Sequence, residues 1–285
     1  MKIGMLTGIW YVAEQATIIA SLNRVAELGF RYVDLHGLFH AGPNHLTAKQ
    51  RKEVKTEMDV LGLIPSSYIL HSPISVPSTN EKELEECYCY LCEGVDLAVE
   101  WGTNNIQLNA GQWAYGMPRD EAWNKSVRFL QRLCDYAAPR GIFVCQEAEP
   151  YVWFMVNDVP STLKMMADVD RQNFAVLMDI GHMALSREGP EELSKIIDWV
   201  IHGHFSDHQS YVHTNQVVGT GMAPTVEYLE ALSKLDVDRK VKRFGCDELV
   251  ISLELGVPTD KIEDPDDWVR RSVQNIQQMY PEISQ

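Results

Sequence analysis

Short apolar runs alternate with amphipathic segments along the whole chain of 285 residues. Apolar runs of this length that are rich in β-branched and aromatic residues predict buried strands. The pattern predicts eight strands, at 2–6, 32–36, 66–70, 105–109, 142–147, 174–179, 200–206 and 249–254.

Amphipathic helices are predicted between these strands. In one of them, apolar residues recur at helical spacing from 18 to 28, and Gly29 lies where the helix should end. Near the carboxyl end, Asp264 can cap a last helix and Pro265 can occupy its first turn. A helix follows every predicted strand, and no glycine-rich dinucleotide loop follows the first strand. The sequence therefore predicts an α/β fold, a (β/α)8 TIM barrel that forms a single domain over residues 1–285, with an open doubly wound sheet as the alternative.

The overall charge limits the possible partners. The formal net charge is −15, from 25 basic and 40 acidic residues. A field of this sign repels phosphate backbones and anionic lipid surfaces, so we expect neither nucleic acid nor a membrane as a partner. No window approaches the roughly 20 apolar residues of a membrane span, and residues 1–10 lack a signal-peptide pattern. We expect a cytoplasmic protein, and a homo-oligomer remains possible.

The six cysteines are expected to be reduced thiols. The segment "CYCYLC" at 87–92 resembles a metal site at first sight. Its apolar residues recur at helical spacing, however, and no second pair follows at the distance typical of a zinc ribbon. We interpret this segment as part of a buried helix.

Polar residues that end barrel strands lie at the carboxyl-terminal mouth, where active sites form. The last four predicted strands carry such residues, which are Glu147, Asp179, His204 and Glu254. Any one of them alone would more often be a helix N-cap or a surface charge. Three carboxylates in one cavity, however, repel each other unless a cation lies among them. A divalent ion would reduce their summed charge from −3 to −1, and the oxygen-rich set favours Mn²⁺, with Mg²⁺, Co²⁺ or Zn²⁺ as alternatives.

Five more residues near predicted strand ends are candidates for binding a substrate. Trp113 after the fourth strand and Trp10 after the first could stack on the apolar face of a sugar ring, or could equally pack between helices. His71 after the third strand could pair with a hydroxyl group, and His208 after the seventh could act as an acid. Glu149 adds a second acid beyond the glutamate of the fifth strand.

Two polar residues of the seventh strand region are predicted to support the site without binding a ligand. His202 shares a strand face with His204 but lies one layer deeper, which favours a core or supporting role. Asp207 is expected to orient neighbouring groups.

At these residues the chain resembles the xylose isomerase-like TIM barrel superfamily, the sugar phosphate isomerase/epimerase group that includes ketose 3-epimerases and inosose dehydratase. The segments "LNRVAELGFRYVDL" and "GTGMAPTVEYLEAL" are similar to its first helix with second strand and to its Gly-x-Gly segment. The resemblance implies one divalent metal bound by the four strand-end residues, and it implies that His182 contacts substrate hydroxyls. The chain departs from family epimerases in lacking an arginine in "EAEPYVWF" and "SDHQSYVH".

The resemblance implies a sugar isomerase or epimerase that abstracts a proton beside a carbonyl group and forms a metal-stabilised enediolate. In that scheme Glu147 and Glu254 flank the sugar, and one removes the proton that the other returns. The missing arginines make a phosphorylated substrate the less favoured option. The alternatives are a metal-dependent lyase acting on a keto-sugar or keto-inositol, either a dehydratase or a deglycosidase of an oxidised glycoside, and a non-catalytic sugar-binding barrel.

Overall fold

Eight parallel strands close into a barrel in sequence order, with β8 hydrogen-bonded to β1. The computed structural model describes residues 1–71, 76–113, 115–256 and 261–285. The strands are β1 (Lys2–Leu6), β2 (Tyr32–His36), β3 (Ile64–Ile69), β4 (Asn105–Leu108), β5 (Phe143–Glu147), β6 (Phe174–Asp179), β7 (Val200–Phe205) and β8 (Val250–Leu253). The prediction of a (β/α)8 barrel is confirmed, and the open sheet is excluded because β1 and β8 pair.

The strand bounds follow the apolar runs closely. Strands β1, β2 and β6 have the predicted limits. Strand β3 begins two residues earlier than predicted, because Ile64 donates its N–H to the carbonyl of Arg31 at 2.8 Å and so joins the ladder beside β2. Both faces of the strands are covered, which explains why they consist mainly of apolar residues.

Helices surround the barrel and connect its strands. They are α1 (Gly8–Glu14), α2 (Ile18–Glu27), α3 (Ala48–Leu61), α4 (Glu81–Trp101), α5 (Arg119–Ala137), α6 (Val159–Val169), α7 (Ile180–Leu185), α8 (Leu193–Ile196), α9 (Thr225–Lys234), α10 (Val237–Lys240) and α11 (Pro265–Met279), with 3₁₀ turns at Ala138–Arg140, Pro190–Glu192 and Val241–Phe244. Within the described ranges, no helix has both the length and the apolar character needed to cross a membrane.

The local signals in the sequence have the expected structural basis. The Asp264 carboxylate accepts the N–H of Asp267 at 2.9 Å and caps α11, whose first residue is Pro265. Gly29 follows α2 with a left-handed φ of 88°, a conformation that costs glycine little. The "CYCYLC" segment lies within α4, as the helical interpretation of these cysteines predicts.

The register of the last strands brings their polar ends to the same height. Asp179 pairs with His204 across β6 and β7. Glu147, the last residue of β5, pairs with Leu177 of β6. Glu254 directly follows β8 and donates its backbone N–H to Phe205 at 2.9 Å. The ladder itself therefore places the four strand-end side chains around one mouth.

Candidate active site

The four strand-end residues form one cluster at the carboxyl-terminal mouth of the barrel. Glu147, Asp179, His204 and Glu254 each contribute an oxygen or nitrogen atom, and all four atoms lie within 4.8 Å of one another. Three of the side chains are buried, whereas that of Glu254 is 22% exposed and faces a cavity. We call these four residues the upper cluster.

Amide side chains fix one oxygen of each glutamate in the upper cluster. Gln107 of β4 donates to Oε2 of Glu147 at 2.5 Å. Asn215, in the loop after β7, donates to Oε1 of Glu254 at 3.1 Å. The other oxygen of each glutamate therefore points toward His204, whose Nδ1 lies 3.1 Å from Glu147 Oε1 and 2.8 Å from Glu254 Oε2.

Asp179 is oriented in the same way. Its Oδ1 accepts the hydroxyl of Ser206 at 2.5 Å and the backbone N–H of His182 at 2.7 Å, so it also caps α7. Its Oδ2 is buried and has no hydrogen-bond donor in the part of the chain that the structure describes. The buried Oε2 of Glu254 likewise lacks a donor among the described residues, because the geometry of its contact with His204 is not that of a hydrogen bond.

These atoms meet the requirements of a divalent cation. Buried carboxylate oxygens without donors are costly unless a cation compensates them. Each carboxylate turns one oxygen to the centre of the cluster while neutral donors hold the other oxygen, and the imidazole presents Nδ1 to the same centre. Three oxygens and one nitrogen suit Mn²⁺ or Zn²⁺ and their neighbours in the series. The residues present therefore fit a metal ion.

The charged groups of the upper cluster shift each other's pKa values. Burial lowers the pKa of His204, but Glu147, Asp34 and Glu254 outweigh burial and raise this pKa well above its ordinary value. Burial raises the pKa values of Glu147 and Asp179. In the metal-free protein, the carboxylates around His204 thus favour the charged form of its imidazole.

A second cluster lies one layer deeper in the barrel and was not anticipated from the sequence. Asp34 of β2 is fully buried and accepts Nε2 of His202 at 2.7 Å and the Ser66 hydroxyl at 2.6 Å. Nε2 of His204 lies 3.4 Å from the same carboxylate. Asp34, His202 and Ser66 form what we call the lower cluster, which explains the supporting position expected for His202. A lone aspartate inside the apolar run "YVDLH" was the available signal for it.

His182 joins the upper cluster to the loop after β7. Its Nδ1 donates to the carbonyl of Ala148 at 3.1 Å and lies 3.7 Å from Glu147 Oε1. Its Nε2 lies 2.8 Å from Nε2 of His213, a residue that lines the cavity and that the sequence did not single out. Burial lowers the pKa of His182, but the surrounding carboxylates, Asp179 first among them, raise it to about 9.

The structure places His208 and Asp207 behind the site. Nδ1 of His208 accepts the backbone N–H of Thr214 at 3.2 Å, and Nε2 lies 3.1 Å from the Ser206 hydroxyl. Both ring nitrogens of this fully buried side chain are thus engaged, which does not support its expected contact with substrate. Asp207 is also buried and accepts four backbone N–H groups, two of them from Gly219 and Gly221 of the Gly-x-Gly segment.

Both tryptophans proposed to stack on a sugar lie elsewhere. Trp10 is fully buried on α1, and its indole N–H donates to Asp266 of α11 at 2.8 Å. Trp113 stacks on Trp123 of α5 at 6.5 Å between ring centroids, and the guanidinium of Arg119 lies over its ring. Neither side chain lines the cavity, so the packing alternative for both residues describes the structure better.

His71 and Glu149, by contrast, are placed at the cavity. Their ligating atoms lie within 4.8 Å of each other and of a Glu147 oxygen. Nδ1 of His71 is 3.4 Å from the amide nitrogen of Asn109. The cavity has a volume of about 360 Å³ and extends outward from Glu254 between the loops after β2 and β5.

Comparisons with known proteins agree with this architecture. A family model described as a xylose isomerase-like TIM barrel matches residues 22–278. Fructoselysine 3-epimerase from Shigella flexneri is 23% identical over 287 residues, covering 98% of this chain and 99% of that protein. 3-Dehydroshikimate dehydratase from Bacillus anthracis is 27% identical over 166 residues, which span 54% of this chain and only 57% of the dehydratase. A solved structure described as IOLI protein with a binding zinc atom shares the fold, with a TM-score of 0.79, 15% identity and 99% coverage of both chains.

Proposed function

Because the chain belongs to the xylose isomerase-like TIM barrel family, we propose that it is an enzyme that isomerises or epimerises a sugar or polyol by moving a proton beside a carbonyl group. A 3-epimerase and a dehydratase among its relatives support an enzyme of this kind. The observation that carries the proposal is the matched arrangement of Glu147 and Glu254. Each turns one oxygen toward His204 and has the other held by an amide.

The two glutamates are proposed to act as a pair of bases. They come from β5 and β8, three strands apart around the barrel, so they approach a bound sugar from different sides. Glu147 would take the proton on one face of the carbon, and Glu254, which must be protonated when the substrate binds, would give its own proton to the other face, which inverts the centre and leaves the proton on Glu147. Each amide-bound oxygen retains a second lone pair for this transfer, because a carboxylate oxygen has two.

A divalent ion would supply Lewis acidity beside these bases, and the residues proposed to hold it are Glu147, Asp179, His204 and Glu254. We propose Mn²⁺, with Mg²⁺, Co²⁺ and Zn²⁺ as alternatives. His182 is proposed to orient His213, through their 2.8 Å contact, toward a substrate hydroxyl. His71 faces the same cavity and is proposed to bind a second hydroxyl.

A lyase reaction is the second candidate, and the position of Glu149 favours it. An elimination needs a base that removes the proton and an acid that protonates the leaving group. A carboxylate oxygen of Glu149 lies within 4.8 Å of one of Glu147, so both groups could act on neighbouring substrate atoms. In this scheme Glu147 removes the proton, the electron pair forms the double bond, and Glu149 gives a proton to the departing oxygen.

Solvent exchange distinguishes the candidates. The Mn²⁺-loaded protein is incubated in D₂O with D-fructose, D-tagatose and D-psicose, and the products are followed by NMR. Deuterium at an inverted carbon beside the carbonyl supports the epimerase, and an unsaturated product supports the lyase. Glu147→Gln should abolish either signal, whereas Glu230→Gln on the exposed face of α9 should leave it unchanged. Sugar binding without exchange or elimination would contradict both and would favour a non-catalytic barrel.

A further inference from the structure

The outer part of the cavity is lined by aromatic and aliphatic side chains from two loops. The loop after β2 contributes Leu38 and Phe39, and the loop after β5 contributes Tyr151, Trp153 and Phe154. We propose that this outer subsite binds an aromatic group attached to the sugar, so that the substrate is an aryl-substituted sugar and not a free monosaccharide. This inference rests on the proposed function, because it assumes that the sugar itself occupies the upper cluster.

The exposure of the outer subsite is the first reason. Leu38 is 41% exposed and Trp153 is 49% exposed, although both belong to residue types that proteins usually bury. A concentration of exposed apolar side chains commonly marks a binding site. Here the apolar side chains line the same cavity as Glu254 and His71, so a ligand held at the upper cluster would extend directly onto them.

The aromatic rings that line the outer subsite are stacked in groups. Tyr151 stacks on Trp153 with 4.3 Å between centroids and 10° between planes. Phe39 stacks on both His36, at 4.2 Å and 6°, and Tyr11, at 5.0 Å and 8°. Since other rings already cover Phe39, the half-exposed Trp153 is the main aromatic contact for an inserted ring, whose apolar area would also be buried.

The loop that carries Trp153 is held rigidly. The carbonyl of Trp153 accepts the N–H of Trp113 at 2.7 Å, and Met155 donates its N–H to Gly111 at 3.0 Å. Glu149 donates its N–H to Val156 at 3.1 Å and closes the base of the loop. A preformed surface loses little conformational entropy on binding, so its apolar contacts contribute fully to affinity.

The charge of the lining selects against anionic substituents. The described residues that line the cavity include the acids Glu149 and Glu254 and no Lys or Arg. Phosphate and carboxylate groups are normally bound by such cations and would here meet carboxylates. A volume of about 360 Å³ lies within the range of about 300–1,000 Å³ typical of small-molecule sites. An uncharged aromatic substituent therefore fits the outer subsite better than a phosphate does.

Paired glycosides test this inference by isothermal titration calorimetry. The metal-loaded protein is titrated with the phenyl and the methyl β-glycosides of D-glucose, D-galactose and D-allose. At least one phenyl glycoside should bind about tenfold more tightly than its methyl counterpart, since stacking adds to apolar burial. Trp153→Ala should remove most of this preference while leaving the affinity for the methyl glycoside unchanged.

Trp199→Ala is the matched control. Trp199 is 37% exposed and precedes β7, at the opposite end of the barrel from the cavity, so its removal should change neither affinity. Equal affinities within every pair, or no binding of any glycoside, would overturn the inference. An unchanged phenyl preference in Trp153→Ala would also overturn it. If that variant kept the preference but changed its molar mass in solution, the aromatic surface would instead be an interface between copies of this chain. These glycosides lack the free carbonyl group that proton abstraction requires, so the ketohexose assay in D₂O tests the reaction separately. A phenyl preference together with no exchange of any ketohexose would retain the subsite and reject the proposed reaction.

Discussion

The lower and upper clusters both combine carboxylate with imidazole, but they differ in how completely their carboxylate oxygens are hydrogen-bonded. In the lower cluster, His202 and Ser66 provide hydrogen-bond donors to the buried carboxylate of Asp34. In the upper cluster, buried oxygens of Asp179 and Glu254 have no donor among the described residues. A buried polar group without a partner costs free energy, so a protein retains it where a ligand completes it. We therefore propose that the lower cluster stabilises the fold and that the upper cluster binds a ligand.

His204 connects the two clusters. Its Nε2 lies 3.4 Å from Asp34, and its Nδ1 lies between Glu147 and Glu254. This Nε2 has no hydrogen-bond partner by geometry among the described residues. Asp34 therefore acts on His204 through its charge, which helps to raise the pKa of the imidazole.

The largest effect is expected when a base of the upper cluster is neutralised. Glu147→Gln or Glu254→Gln should lower kcat by about 10²–10⁴-fold, because an amide can neither accept nor give up the transferred proton. Steady-state kinetics on the responsive sugar measures the loss, and circular dichroism checks the fold. Full turnover in either variant would reject the two-base scheme.

The second-largest expected effect is on the free energy of unfolding of the metal-free protein, and it distinguishes the two clusters. Asp34→Asn should lower the free energy of unfolding by about 3 kcal/mol, because it removes the charge that His202 and His204 share in a buried site. Asp179→Asn should change it by less than about 1 kcal/mol, since the amide oxygen can still accept from Ser206 while one repelling charge is lost. Urea denaturation measures both, and equal losses would remove the distinction between the clusters.

The pH dependence of the Asp34→Asn effect provides its control. Burial raises the pKa of Asp34, but His202 and His204 outweigh burial and hold it well below its ordinary range. Because the folded pKa lies below the unfolded value of about 3.9, the stabilisation is complete above that pH and is lost as the pH falls toward the folded value. The gap between wild type and Asp34→Asn should thus narrow below about pH 4. A gap that persists unchanged to low pH would show that packing, not charge, causes it.

The upper cluster was predictable because it depends on order along the chain. Each of its residues ends or follows an apolar run, and a closed parallel barrel brings such ends together whatever the intervening loops do. The lower cluster was not predictable in this way. Asp34 stands alone within its strand, and its partner His202 lies 168 residues further along the chain. Only the closure of the barrel reveals the pair.

The positions of aromatic side chains were also not predictable from the sequence. Trp10 was expected near the mouth because it follows β1, but α1 begins at Gly8 and turns the ring toward α11. Trp153 lies in the segment "EAEPYVWF", which was considered for its lack of an arginine, and the bridge between Gln112 and Phe154 fixes its loop beside the cavity. The direction of a ring in a loop depends on such tertiary contacts, which local pattern does not encode.

Metal binding should stabilise the protein through the upper cluster alone. At a free Mn²⁺ concentration of 100 times its Kd, unfolding should cost about 2.7 kcal/mol more than in metal-free protein. Asp179→Asn should lose most of this gain because it removes a proposed ligand charge. The metal-induced stabilisation is measured as the difference in calorimetric Tm with and without metal, and elemental analysis gives the metal content of each protein. The same metal-induced rise of Tm in Asp179→Asn and wild type would place the metal elsewhere.

The smallest expected effects come from the two serines that donate to the aspartates, and they sharpen the comparison most. Ser206→Ala removes a donor that orients Asp179 and should weaken metal affinity about tenfold. Ser66→Ala removes a donor to Asp34 and should lower the free energy of unfolding by about 1.5 kcal/mol while leaving metal affinity within about twofold. Competition titration with a chelator and urea denaturation are applied to both variants. If each serine affected both quantities equally, the two clusters would form one network, and the division of binding from stability would be lost.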